Sequence, residues 1–243
     1  MKKMVIVVLS LLALAGCRGT GNGKYNPVDA RTFGMVGDVK EVRVSRALLS
    51  TSLNEEIGDP WVDDDELEMT FDEEGRVTLD PYGDVYEYDE RGYFIYGGTD
   101  ELIRDDDTGR IMSYDNTIYE EGDGEYPDYD IETYFRIRFE YDAAGRPVTE
   151  EMYGWEWGTT YTNVFEGKKV YPASATFEGG YEGIEEKGTV KYDYSAFDRR
   201  GNWTERTVTT VTQSWEEGRE DEVETLTEER LERRTIKYWS DKE

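Results

Sequence analysis

A short phrase that recurs along the chain constrains its fold more than any other feature. The phrase is an aromatic residue, an aspartate, two variable residues and a glycine, often followed by arginine. Its copies are FDEEGRV (71 to 77), YDERGY (88 to 93), YDAAGR (141 to 146), FDRRGNW (197 to 203) and a degenerate DDTGRI (106 to 111). The aspartate can accept a hydrogen bond from its own turn, and the glycine supplies the positive φ that closes a hairpin. The phrase therefore predicts a series of β-hairpin turns.

The spacing of the copies indicates how much chain each hairpin uses. Gly75, Gly92 and Gly109 are 17 residues apart, whereas Gly145 and Gly201 follow at longer intervals. Seventeen residues accommodate two short strands and two turns, so each early repeat would be one hairpin. The turns on the opposite edge are expected at residues 80 to 83 and 97 to 100.

Alternation of apolar and polar residues supports strands between these turns. It is clear at residues 67 to 71, 135 to 141 and 189 to 196, and 14% of the chain is aromatic. Such alternation is typical of an antiparallel sheet with one packed face. We predict an all-β fold, an antiparallel β-hairpin meander that forms a single curved or partly wrapped sheet. Residues 222 to 234 fit either a strand or a helix.

The repeated phrase resembles the YD repeat of bacterial Rhs and YD-repeat proteins. The copy at residues 197 to 206 is similar to divergent repeats in small lipoproteins of Bacteroidetes. The resemblance covers about residues 66 to 239. It implies a hairpin array that acts as a scaffold, shell or binding surface without catalytic residues of its own.

The first 16 residues have the pattern of a secretory signal peptide. Lys2 and Lys3 precede an apolar run from residue 4 to 14 that is too short to span a bilayer. The run ends in Leu-Ala-Gly-Cys, which resembles the lipobox of bacterial lipoproteins. The resemblance implies cleavage before Cys17 and lipid attachment to Cys17, the only cysteine. The alternative is an ordinary secretory signal with Cys17 as a free thiol.

The predicted organisation has three parts. Residues 1 to 16 are the lipoprotein signal peptide, residues 17 to 30 a flexible tether rich in glycine and polar residues, and residues 31 to 243 a β-rich repeat domain. Residue 18 is arginine, whereas an aspartate there retains enterobacterial lipoproteins at the inner membrane. We therefore expect a lipid anchor in the outer membrane. No acidic cluster of the surface-export type follows Cys17, which favours the periplasmic face over the cell surface.

The charge and the missing residue types narrow the functional classes. The chain has 56 acidic and 28 basic residues, a formal net charge of −28, which disfavours nucleic acid as a partner. It contains no histidine, the commonest general base, and its only thiol is expected to carry lipid. We predict a non-enzymatic lipoprotein whose sheet is a structural or protein-binding module in the cell envelope.

Clustered acidic residues suggest calcium as the one cofactor to consider. The best candidates are Asp123, Glu125, Asp128 and Asp130, whose oxygens could converge on one Ca²⁺ ion. Their spacing does not follow the EF-hand pattern. Solvated acidic side chains in turns are the alternative interpretation, and no other cofactor is expected.

A cluster of aromatic residues suggests a second kind of partner. Tyr153, Trp155, Trp157 and Tyr161 stand at odd positions, so on a single strand they would share one face. That face could stack on a sugar or a peptide, which would make the chain a glycan-binding lipoprotein. Alternatively, the same side chains form the core of the sheet.

Overall fold

The computed structural model of the chain describes residues 28 to 241, except residues 55, 59–60, 63–65, 82, 98–100, 121–130 and 155–156. A short helix, α1 (Val28–Thr32), comes first, and no helix in this part of the chain is long and apolar enough to cross a membrane. The strands are β1 (Val39–Leu53), β2 (Glu56–Gly58), β3 (Trp61–Val62), β4 (Leu67–Phe71), β5 (Val77–Leu79), β6 (Tyr86–Tyr88), β7 (Phe94–Gly97), β8 (Glu101–Arg104), β9 (Ile111–Glu120), β10 (Ile131–Tyr141), β11 (Pro147–Gly154), β12 (Trp157–Val164), β13 (Ser174–Tyr181), β14 (Ile184–Phe197), β15 (Trp203–Glu216) and β16 (Glu224–Tyr238).

Fourteen of the strands in the described residues form one antiparallel sheet, which confirms the predicted all-β meander. From β8 to β16 the strands are neighbours in sequence order. The order then departs from the sequence, because β16 pairs with β1, and β1 pairs with β4, which carries β5. Backbone pairing does not close this sheet, whose two edges are β5 and β8. Strands β6 and β7 form a separate hairpin.

All four clear copies of the phrase form hairpin turns, as predicted. In the first copy, the amide of Asp72 donates to the carbonyl of Arg76, and the amide of Gly75 donates to the carbonyl of Asp72. Gly75 has a φ of +82°, so the loop has three residues and ends in a glycine bulge. The same two hydrogen bonds recur in the turns that begin at Asp80, Asp89, Asp142 and Asp198. The degenerate copy forms a turn that is one residue longer, from Asp105 to Arg110.

The side chains of the phrase also close the turn. The amide of Arg146 donates to Oδ1 of Asp142 at 3.0 Å, while Nε of Arg146 donates to Oδ2 at 2.8 Å. Arg76 makes the same two bonds to Asp72 at 2.9 and 2.5 Å. In these two turns, the aspartate and the arginine after the glycine therefore have a structural role.

Valine at a turn glycine should destabilise the fold by about 1–3 kcal/mol, because only glycine tolerates positive φ without strain. We expect Gly145→Val at the upper end, since Gly145 is buried and a Cβ there would displace the guanidinium of Arg110 from its position over the Tyr141 ring. Gly201→Val should lie at the lower end, since nothing is within 4 Å of a Cβ at that position. Urea unfolding measures both, with Ala143→Val as the control. Equal unfolding free energies for all three variants would contradict the turn assignment.

The larger core cluster shows that the sheet is strongly curved. It contains Phe71 of β4 together with Ile137 and Phe139 of β10. Strands β4 and β10 lie near opposite edges of the sheet, so their side chains can meet only if the sheet wraps around. This agrees with the predicted curved or partly wrapped sheet. A smaller cluster contains Ala175, Phe177, Val190 and Val208.

Helix α1 connects the two edges of the sheet. The fully buried Asp29 accepts hydrogen bonds from the amide of Val77 on β5 at 2.8 Å and from both Nη atoms of Arg104 on β8 at 2.8 and 3.0 Å. Tyr88 of β6 donates to the carbonyl of Val77 and accepts from Arg104. These bonds bridge the gap that backbone pairing leaves open. We call the side chains of Asp29, Tyr88 and Arg104, together with the backbone of Val77, the edge bridge.

The predicted boundary between tether and domain is therefore too late. The sequence predicts a flexible tether through residue 30, but Asp29 and Ala30 are 0% and 2% exposed and belong to the folded domain. The polar composition of the segment concealed this, because the role of Asp29 depends on Arg104, 75 residues further along the chain. Residues 17 to 27 lie outside the described residues.

Candidate functional site

Strand register determines which side chains share a face of the sheet, because directly paired residues of antiparallel strands lie on the same side. Tyr161 pairs with Phe177, which belongs to the smaller core cluster. We call this side the inner face. Glu150 of β11 pairs with Tyr161, and Arg206 of β15 stands two residues before the core residue Val208. Both charged side chains therefore belong to the inner face.

The inner face holds a pocket of about 200 Å³. Glu150, Tyr192, Trp203, Arg206 and Arg234 line it, and they come from four different strands. Thr32, the last residue of α1, and the two residues after it also line the pocket. We call it the inner pocket. Its aromatic and charged lining is what a site for a small polar molecule requires.

Glu150 is a carboxyl group without a counter-ion. No hydrogen bond or ion pair reaches its side chain from the part of the chain that the structure describes. Burial raises the pKa of the Glu150 carboxyl to about 7, and no neighbouring cation offsets that rise. Glu150 is half-buried, so its carboxyl loses hydration and gains no partner from the described residues.

Arg206, in contrast, is neutralised. Its guanidinium donates to Glu232 from Nε at 2.8 Å and contacts the same carboxylate through Nη2 at 2.6 Å. It lies 4.2 Å from the centre of the Trp203 ring and 4.5 Å from that of Tyr192. The ion pair with Glu232 holds Arg206 against these two rings and adds no net charge to the pocket.

Arg234 is a buried cation with no carboxylate within ion-pair distance among the described residues. The residue is 6% exposed. Its Nε donates to the carbonyl of Trp203 at 2.5 Å, and its Nη2 donates to that of Gly34 at 3.5 Å. The guanidinium stacks 3.9 Å from the centre of the Trp203 ring. Burial and the charge of Arg206 lower the pKa of Arg234 to about 9, although Tyr194, Tyr238 and Asp198 act in the opposite direction. The inner pocket thus contains one uncompensated positive charge.

Sequence reasoning missed these residues, although the alternation carried a signal for them. Glu150 is in phase with Val148 and Met152 on β11, and Arg234 is in phase with Ile236 on β16. When a charged residue occupies an apolar position in the alternation of an amphipathic strand, its side chain is expected on the packed face. Fifty-six acidic residues obscured this signal, because charges stand at most outward positions as well.

The four aromatic residues predicted to form a platform do not share one face. Tyr153 lies on β11, whereas Trp157 and Tyr161 lie on β12, and Trp155 is outside the described residues. Tyr153 pairs with Gly158, whose neighbours in sequence face the other way, so Tyr153 is on the side opposite Trp157 and Tyr161. The predicted platform is therefore wrong.

The error arises because the chain reverses direction after Gly154, so the odd spacing does not continue along one strand. Tyr161 instead packs in the core, with its ring centre 5.4 Å from that of Phe177. This is the alternative that the sequence left open for the cluster. Tyr153, Trp157 and Tyr161 therefore do not form one glycan-binding surface.

The other predicted sites lie outside the described residues. They are the lipid attachment residue Cys17 and the calcium ligands Asp123, Glu125, Asp128 and Asp130. Where the structure does describe the chain, no group of three or more histidine, cysteine, aspartate or glutamate side chains is placed to hold a metal ion. The calcium hypothesis for residues 123 to 130 stays a prediction.

Comparison with known proteins adds no relative. No protein-family model, no curated protein and no solved structure matches this chain. The resemblance to YD repeats and to the lipobox therefore rests on the quoted residues, and it stays a prediction.

Proposed function

We propose that the chain is a lipid-anchored, non-enzymatic lipoprotein of the outer membrane whose hairpin sheet serves as a structural or binding module. The periplasmic face is favoured over the cell surface, and the partner is a protein or a glycan. The lipobox-like residues before Cys17 support the anchor.

The observation that carries the proposed scaffold role is how the repeats use their polar side chains. In the turns at Asp72 and Asp142, both the aspartate and the arginine are occupied in closing the turn. The aspartates at 80, 89 and 198 also accept a hydrogen bond from the amide four residues later. The repeated residues build the sheet, which leaves its surfaces and its pocket for binding.

Replacing Cys17 with serine should release the protein from the membrane, because serine cannot form the thioether to the lipid. In the wild type, two or three acyl chains make attachment effectively permanent, at ~0.8 kcal/mol for each buried methylene. We expect wild-type protein in the carbonate-washed membrane fraction, and the Cys17→Ser variant in the soluble fraction or as an uncleaved precursor. Fractionation followed by immunoblotting measures this.

Asn22→Ser, in the same tether, is the control and should stay with the membrane. Carbonate-resistant membrane association of the Cys17→Ser variant, after processing to the mature size, would overturn the proposed lipid anchor. Protease added to intact cells then tests the side of the membrane. Protection of the wild-type protein is expected for the periplasmic face, and digestion would place it on the cell surface.

A further inference from the structure

We infer that the inner pocket binds a small dipolar molecule, with an ammonium group at one end and a carboxylate at the other. Glu150 would hold the ammonium and Arg234 the carboxylate, because both line the same pocket and neither has a counter-ion among the described residues. This inference goes beyond the scaffold role and does not depend on the lipid anchor.

The first argument comes from Glu150. The side chain stands at an inward position, where Val148 and Met152 are apolar, and it has no polar contact from the described residues. Glu150 is half-buried, and an ionised carboxyl loses hydration there without gaining a partner, which is costly. A cationic ligand group supplies the missing partner.

The second argument comes from Arg234. A guanidinium in a residue that is 6% exposed normally has a carboxylate partner, but Arg234 is held by the backbone carbonyls of Trp203 and Gly34 and by the Trp203 ring. Asp198, whose charge favours the ionised form of Arg234, is already engaged with Tyr238. A guanidinium is suited to a carboxylate, which it can bind through two parallel hydrogen bonds.

The third argument is that the two groups do not satisfy each other. They form no ion pair, and neither charge is among the causes that shift the pKa of the other. A ligand with a single charge would therefore compensate one end of the pocket and leave the other unpaired. A ligand with both charges compensates both. The volume of about 200 Å³ has room for several water molecules, which suits a short ω-amino acid.

The test is calorimetric titration of the purified full-length protein with ω-amino acids that have between one and six methylene groups. The titration is done at pH 8, where Glu150 is ionised because its pKa is about 7. We expect binding to peak at one or two chain lengths. At that length, the alkylammonium ion and the alkanoate, which carry one charge each, should bind at least tenfold more weakly.

Substitutions test whether Glu150 binds the ammonium end of the ligand and Arg234 the carboxylate end. Glu150→Gln should weaken binding of the best ω-amino acid at least tenfold, whereas Glu151→Gln, the adjacent residue on the outer face, should leave the dissociation constant unchanged. Arg234→Lys should also weaken binding at least tenfold, and Arg233→Lys, on the exposed side of β16, should not. Near-ultraviolet circular dichroism confirms that each variant is folded. If Arg234→Lys does not fold, the inference is tested by the series of chain lengths and by the comparison of Glu150→Gln with Glu151→Gln.

Three results would overturn the inference. The first is the absence of binding heat for every chain length up to millimolar concentration. The second is equal affinity for the ω-amino acid and the alkylammonium ion, which would remove the role of Arg234. The third is unchanged affinity of Glu150→Gln, which would place any binding elsewhere on the protein.

Discussion

Replacing Asp29 with alanine is expected to lower the free energy of unfolding by about 3–5 kcal/mol, because removing one member of a buried ion pair leaves the other charge uncompensated. Arg104, whose side chain is 9% exposed, would lose both of its bonds to the Asp29 carboxylate. Burial alone would lower the pKa of Arg104, but Asp29 raises it overall, so the attraction outweighs the desolvation. The amide of Val77 would also lose its acceptor. Urea unfolding with a fitted slope measures the loss.

An exposed ion pair provides the control for this variant. Asp193 contacts Lys191 at 2.6 Å, but both side chains are more than half exposed, so Asp193→Ala should cost less than about 1 kcal/mol. Combining Asp29→Leu with Arg104→Met should recover part of the stability, since no buried charge is then unpaired. Equal losses for Asp29→Ala and Asp193→Ala would mean that the edge bridge does not hold the sheet edges together.

Asn202→Ala is expected to lower the free energy of unfolding by about 2–4 kcal/mol, because it leaves buried polar groups without partners. The fully buried Asn202 side chain accepts from the amide of Val36 at 2.8 Å and donates to its carbonyl at 2.8 Å. It also donates to the hydroxyl of Tyr238 at 2.7 Å. One amide thus connects the segment after α1, the last repeat turn and β16.

Asn163→Ala is the matched control for this second variant. Asn163 is partly buried and makes one hydrogen bond, to the carbonyl of Pro147 at 3.1 Å, so its loss should cost about 1 kcal/mol. Thermal and urea unfolding of both variants compare the two sites. A change at Asn202 no greater than that at Asn163 would contradict its role as a three-way connector.

The local parts of the fold could be predicted from the sequence, because their information lies within a few residues. The Asp-x-x-Gly phrase predicted the pairing of β4 with β5 across the turn at Gly75, and of β10 with β11 across the turn at Gly145. In both cases, the turn and the alternation that flanks it indicate the same register. The structure confirms both hairpins.

The pairing of β1 with β16 could not be predicted in the same way. Val39 pairs with Tyr238, and a local sequence pattern does not predict which distant strand will be the partner. The same pairing explains why residues 222 to 234 were ambiguous in sequence. Glu224–Tyr238 is a strand because its backbone amides and carbonyls form hydrogen bonds with β15 on one side and β1 on the other. This pairing outweighs the helix-compatible spacing of its apolar residues.

The candidate site escaped prediction for a related reason. Glu150 and Arg234 are 84 positions apart and come together only through the curvature of the sheet, with residues 32 to 34 forming part of the wall. Those wall residues are the end of α1 and the two residues after it, so the edge bridge at Asp29 and the inner pocket share one structural support. Loss of the bridge should therefore also affect binding at the pocket.

Hydrogen exchange at the Val77 amide tests the edge bridge most directly, because Val77 lies on the edge strand β5 and its amide bonds to Asp29. In the wild type, we expect this amide to exchange as slowly as amides in the centre of β15. In Asp29→Ala, it should exchange rapidly while the centre of β15 stays protected. A Val77 amide that exchanges at the unprotected rate in the wild-type protein would contradict the bridged, wrapped sheet.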